Sequence, residues 1–145
     1  MPEPHPILKA FQAQGAPLPM TDALARSLKG SILELDPEVG AAVLAFEPDE
    51  GFMQGGGVIH GGIVATMLDY AAALAAFSRV AEGQSFATVS LTTHFLKSVL
   101  PGRHLARARL DRLGGRLIFA SAELFREGDE APLATATAVM AITRR

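Results

Sequence analysis

Cysteine is absent from this 145-residue chain, and that absence closes several routes at once. No disulfide can staple the fold, no thiolate can act as a nucleophile, and no Cys-ligated metal can form. An excess of one charge is lacking too, with 13 Lys+Arg against 15 Asp+Glu and a formal charge of −2. Such a balance gives no global field to draw nucleic acid or an anionic membrane, and neither is expected as a partner. The longest apolar run, Ile63 to Phe77, has 15 residues and contains Asp69. It falls short of the roughly 20 apolar residues that span a bilayer. The opening Met1-Pro2-Glu3-Pro4-His5-Pro6 lacks the charged and apolar regions of a signal peptide, so a cytoplasmic location is expected. The four histidines, His5, His60, His94 and His104, show no metal-ligand spacing, and there is no G-x-S-x-G elbow. Neither a metal, another cofactor nor a Ser-His-Asp hydrolase is expected.

What is present reads as a globular chain, 49% hydrophobic and 19% charged, long enough to bury a core unaided. No repeat or linker divides it, so one domain over residues 1–145 is expected, with residues 1–30 as a short helical N-terminal extension. Ile7 to Gln14 reads as a helix closed by Gly15. A second short helix follows Thr21 as N-cap and ends near Gly30. Ser31 to Asp36 and Ala41 to Phe46 read as strands on either side of the turn Asp36-Pro37-Glu38. From Gly61 the pattern changes, and the Ala-, Leu- and Met-rich run from Ile63 to Phe77 reads as one long helix ending before the turn at Glu82-Gly83, apolar on nearly every side and therefore buried. The second half is strand throughout: Phe86 to Lys97, Leu105 to Arg112, Leu117 to Arg126 and Leu133 to Thr143, joined by short turns that favour antiparallel pairing. In the first of these, alternation puts Thr88, Ser90, Thr92 and His94 on one face and Val89, Leu91, Thr93 and Phe95 on the other. The class is α+β, a largely antiparallel sheet curled round one central helix.

Two features carry chemistry. Gln54-Gly55-Gly56-Gly57-Val58-Ile59-His60-Gly61-Gly62 runs straight into the long helix. A helix start exposes unpaired N–H groups and partial positive charge, and glycines let a ligand approach the backbone. The product is a site for an anion or for a developing oxyanion, unless the loop merely turns the chain. The run matches neither G-x-G-x-x-G nor a P-loop. Asp69 is the other feature, a carboxylate within an apolar helix, where burial is costly without a partner. A solvent-facing or ion-paired aspartate is the alternative. Gly61 and Asp69 are eight residues apart, about 12 Å along a helix. If both act on one carbonyl, they must come from two copies of the chain.

His60-Gly61-Gly62, six residues, then Asp69, followed by Thr88-Val89-Ser90-Leu91-Thr92-Thr93-His94-Phe95-Leu96-Lys97 and Pro101-Gly102, resembles the hotdog-fold thioesterases of the PaaI-like, phenylacetic-acid-pathway type, within the 4-hydroxybenzoyl-CoA thioesterase superfamily. The resemblance covers about residues 40 to 143. It implies a hotdog sheet wrapped round the central helix, a homodimer that often pairs into a dimer of dimers (a homotetramer), and hydrolysis of acyl-CoA. By position it makes Asp69 the nucleophile or general base and the Gly61 N–H an oxyanion donor, with Gly62 beside it. Gln54 stands where relatives have Asn and would orient water or the thioester. Thr88 would hold water near the carboxylate, and His60 would shape the helix start. Ser98-Val99 replaces a usual proline.

Lys97, Arg103, Arg107, Arg109, Arg112 and Arg116 crowd one stretch. They are solvated strand faces, or some of them, Lys97 and Arg103 foremost, hold the phosphates of CoA. The expected reaction is hydrolysis of medium-chain or aryl-acyl-CoA. A hydratase or dehydratase of the same fold, and a non-catalytic acyl-CoA sensor, are the alternatives.

Overall fold

Small side chains dominate the places where a helix must lie close to a sheet. The computed structural model describes residues 2–144. In chain order it comprises α1 (Pro6–Gln14), β1 (Leu18–Pro19), α2 (Ala23–Ser27), β2 (Ser31–Asp36), β3 (Ala41–Phe46), a 3₁₀ turn (Glu50–Phe52), α3 (Gly61–Phe77), β4 (Gln84–Phe95), β5 (His104–Leu113), β6 (Leu117–Arg126) and β7 (Ala134–Arg144). The strands form one antiparallel sheet in the order β1-β2-β3-β5-β6-β7-β4. On its inner face Ala106, Ala108, Ala120, Ala122, Ala134, Ala136 and Ala138 are buried, and α3 answers with Ala71, Ala72, Ala75 and Ala76. This alanine carpet lets the helix backbone approach the strands, while Met67, Leu68, Leu44 and Leu124 fill the space between. The α+β expectation of a sheet curled round one long helix is met. No helix among the described residues is long and apolar enough to cross a membrane.

Turn chemistry largely follows the sequence. Gly15 closes α1 at φ 75°, and the Asp36 carboxylate accepts from the Glu38 N–H at 2.9 Å in the β2–β3 turn. The cap of α2 is corrected: Asp22, not Thr21, accepts from the Ala25 N–H, the carboxylate standing three residues before its donor as a cap requires. The extension is not wholly helical either, since Leu18 and Pro19 pair with Ile32 and Ser31.

Residues 3–22 run back along α3 as a strap. Near the C-terminal end of the helix, His5 stacks on Phe77 with centroids 4.3 Å apart, and the Glu82 N–H donates to the Glu3 carbonyl at 2.8 Å. Lys9 pairs there with Glu3 and Glu82. Halfway along the helix, the Tyr70 hydroxyl donates to Asp22.

A one-residue irregularity changes the reading of β4. Its register against β7 shifts between Thr88 and Ser90, leaving Val89 as an extra residue. Thr93 and Leu91 then pair with inward Ala136 and Ala138, and Thr88 pairs with inward Met140. The expected alternation therefore fails at Thr88, which shares the inner face with Leu91, Thr93 and Phe95 rather than the outer face with Ser90, Thr92 and His94. A period of two flips on passing one extra residue.

Candidate active site

The bulge aims Thr88 at the central helix. Its Oγ1 donates to Asp69 Oδ1 at 2.8 Å, joining the edge strand to α3. Asp69 is half-buried on the flank of α3 turned away from the alanine carpet, with Thr66, Tyr70 and Ala73 around it and Gly62 at the exposed start. A carboxylate placed so is fixed by a neutral donor while one oxygen stays available to a substrate or water. Next to it, Tyr70 packs against Phe46 with centroids 5.9 Å apart. Its phenol is pushed up to about 12, first by burial, then by the hydrogen bond to Asp22 and the charges of Asp22 and Asp69. Tyr70 therefore stays a protonated donor. Sequence reasoning passed over both Tyr70 and Asp22, although Tyr70 is the chain's sole tyrosine and sits beside Asp69.

The N-terminal end of α3 is left open. His60 occupies the cap position but gives no side-chain cap, and its ring is exposed. Its carbonyl accepts from the Ile63 and Val64 N–H groups, whereas those of Gly61 and Gly62 have no acceptor among the described residues. Two free donors at the positive end of a 17-residue helix suit a developing negative charge. A Cβ on Gly61 would come within 3.3 Å of the Phe95 ring, so glycine permits this close packing. Two bonds hold the segment in front of the helix: the Ile59 N–H donates to the Val99 carbonyl at 2.7 Å and the His60 N–H to the Phe52 carbonyl at 2.9 Å. Val99 is buried, so the Ser98-Val99 stretch ties the end of β4 to the start of α3 where the resemblance leads one to expect a proline.

A cavity of about 420 Å³ opens at this end, and its lining includes Gln54, Gly61, Phe95 and Lys97. It thus gathers three of the residues singled out in the sequence. Lys97 has no ion-pair partner among the described residues. The Gln54 side chain is turned onto its own loop, where its Oε1 accepts from the Gly56 N–H. Arg103 stands apart from this lining, with its Nε 2.6 Å from Glu127. Arg107 lies over the Phe125 ring at 5.0 Å, and Arg109 is 3.7 Å from Asp111, on the outer sheet face. Asp69 is two helical turns beyond Gly61 on one unbroken helix, about 12 Å on. One chain therefore brings Asp69 together with Thr88, and Gly61 with Gln54 and Lys97, as two candidate half-sites.

The thioesterase superfamily profile matches residues 56–133, over half of the chain, a span that holds Gly61, Asp69, Thr88 and Lys97 but begins after Gln54. Among solved structures, a phenylacetic acid degradation-related protein from Ralstonia eutropha is 30% identical with a TM-score of 0.80, covering 92% of this chain and 98% of its own. A thioesterase family protein from Silicibacter pomeroyi is 31% identical with a TM-score of 0.78, covering 94% and 95%. The PaaI protein of the E. coli phenylacetic acid degradation operon, at 22% identity, shares the fold with a TM-score of 0.76 over 85% of this chain and 86% of its own. A comparison with curated protein sequences gives no match. From its sequence profile and its architecture, the chain belongs to the thioesterase superfamily and has the hotdog fold of the PaaI-like members.

Proposed function

We propose that the protein is an acyl-CoA thioesterase whose active site is shared between two subunits. The observation that carries this reading is the separation of the two half-sites along α3. A thioester carbonyl polarised by the Gly61 and Gly62 N–H groups lies about 12 Å from the carboxylate of its own chain, and bond-making needs contact distance. A second copy would supply that carboxylate. The molecule offers a matching surface: β4 is a 12-residue strand at the sheet edge, with Val89 61% and Phe95 56% exposed. A long unpaired edge, with its row of free N–H and C=O groups, is a template for another strand. The flank of α3 that carries Asp69 lies on this side, as the Thr88–Asp69 hydrogen bond shows.

In this reading Asp69, steadied by Thr88, attacks the thioester or takes a proton from an attacking water. The partner's helix start holds the oxyanion, Gln54 leaves its loop to orient the thioester or water, and His60 shapes the backbone. Lys97, unpaired at the cavity mouth, meets a CoA phosphate. Arg103, engaged by Glu127, would have to exchange partners to do so. The protein works as a dimer or dimer of dimers, without metal or cofactor, in the cytoplasm as a single hotdog domain. A panel of acyl-CoAs assayed for free thiol tests the reading. Thiol release from medium-chain or aryl-acyl-CoA supports it, and no release from any member contradicts it.

A further inference from the structure

A second cavity, of about 480 Å³, lies under the N-terminal strap, away from the open helix start. Its walls include Ile7 and Ala10 of α1, Leu18 and Met20, and Ile32 of β2, with Asp22 at one side. The size falls within the range of small-molecule sites, and the walls are largely apolar. Its position relative to the chemistry is set by one side chain. Asp22 accepts from the hydroxyl of Tyr70, and Tyr70 directly follows Asp69 on α3. The Tyr70 side chain thus links the cavity rim to the turn of α3 that carries the candidate catalytic carboxylate. The hydroxyl is committed to Asp22 and the ring is packed on Phe46, so Tyr70 presents an aromatic surface along the way. Asp22 is the lining's one acidic group and there is no basic group, which disfavours an anion such as a nucleotide phosphate. An uncharged apolar chain suits these walls.

We infer that this cavity receives the acyl chain of the thioester, tail first, and that the Tyr70–Asp22 hydrogen bond fastens the strap over it, so that the strap sets the chain length accepted. The inference rests on the thioesterase reading and adds a specificity device to it. Ile7 and Ala10 line it from α1, facing the buried Met20 and Ile32. Tyr70 and Asp22 are positioning residues: they hold the strap and touch no reacting atom.

Hydrolysis is followed for straight-chain acyl-CoAs from butanoyl to dodecanoyl. Ala10→Phe takes up cavity volume from the α1 wall and should lower the ratio of dodecanoyl to butanoyl kcat/KM at least tenfold, since a few methylenes without room are rejected by such factors. Tyr70→Phe keeps the ring but releases Asp22, and should raise KM for dodecanoyl-CoA severalfold while its kcat holds. Circular dichroism checks that both variants fold. A third measurement leaves the protein unchanged: a non-hydrolysable dodecyl-CoA thioether with a terminal diazirine should label residues between 7 and 32, Leu18 and Met20 among them. A label elsewhere, or an unmoved length profile in a folded Ala10→Phe protein, overturns the pocket assignment. A wild-type protein that hydrolyses no acyl-CoA removes the thioesterase reading and this pocket together. Hydrolysis with an unmoved profile removes the pocket alone.

Discussion

The two flanks of α3 are built to opposite rules. The flank on the sheet carries Val64, Met67, Leu68, Ala71, Leu74 and Ala75, all buried and apolar. The other carries Gly62, Thr66, Asp69, Tyr70 and Ala73, half-exposed or open, and holds every polar side chain of the helix. One flank holds the fold and the other is free to bind and react. The helix ends repeat the contrast. At the C-terminal end Ser78 Oγ donates to the Ala75 carbonyl and Phe77 lies between His5 and Phe86, so the end is sealed. At the N-terminal end two glycine N–H groups are left without acceptors among the described residues. One end of the helix is closed by its own side chains, and the other leaves two donors open to a ligand.

Substitutions on the two flanks should therefore separate stability from turnover. Asp69→Asn has the largest expected effect on chemistry. The amide still accepts from Thr88 but neither attacks nor takes a proton, so kcat should fall by about 10²–10⁴-fold with the melting temperature little changed. Leu68→Ala, on the buried flank, should do the reverse, costing about 2–5 kcal/mol of unfolding free energy in a urea titration. Folded Leu68→Ala protein should keep most of its kcat. Thr88→Val sits between the two flanks. Losing one hydrogen bond to a charged group, worth about 1.5–3 kcal/mol, should lower kcat by about 10- to 100-fold, and Thr88→Ser should restore most of it.

The smallest expected effect is one of pH, and it belongs to the fold side of the comparison. His104 is fully buried, its Nδ1 donates to the Gly102 carbonyl at 2.7 Å, and its Nε2 has no partner among the described residues. Burial lowers its pKa below 6.5, with the Arg126 charge acting the same way and the Gly102 bond opposing. The unfolded chain then binds the proton more readily than the folded one. Stability should be fully present above about pH 6.5 and decline as pH falls from there to the lowered folded value. His5, also lowered chiefly by burial with Glu82 opposing, adds to the same slope. His104→Gln should flatten part of it in melting temperatures measured from pH 8 to 5, and an unaltered slope would exclude His104 as its source.

How much of this was legible in the sequence depended on the range of the forces involved. The run from Ile63 to Phe77 announced α3 because alanine-rich propensity is local, and the observed helix, Gly61–Phe77, ends before the turn at Glu82-Gly83. β6 and the β2–β3 pair were legible for the same reason, since alternation and turn residues are local too. The Asp69–Thr88 bond was not legible from alternation. The bulge at Val89 reverses the face of everything before it, and nothing in Thr88-Val89-Ser90 announces an extra residue. The family resemblance pointed to Thr88 where strand periodicity pointed away. The strap and the Tyr70–Asp22 bond join residues 48 apart, a tertiary choice that no window of sequence contains. The open helix start was readable as glycines, but its missing acceptors became visible only with the backbone in place.

The shared site is the central claim, and mixed dimers test it most directly. One subunit carries Asp69→Asn, and the other carries Gly61→Pro, which removes the oxyanion N–H at a helix position where proline is tolerated. The exposed Phe95 ring must shift to admit the proline, so the fold of each variant is checked by circular dichroism. Each variant alone should be inactive. A mixed dimer then has one site with both defects and one with neither, and it should recover about half of the wild-type activity per dimer. Folded heterodimers that stay inactive would contradict the two-chain site.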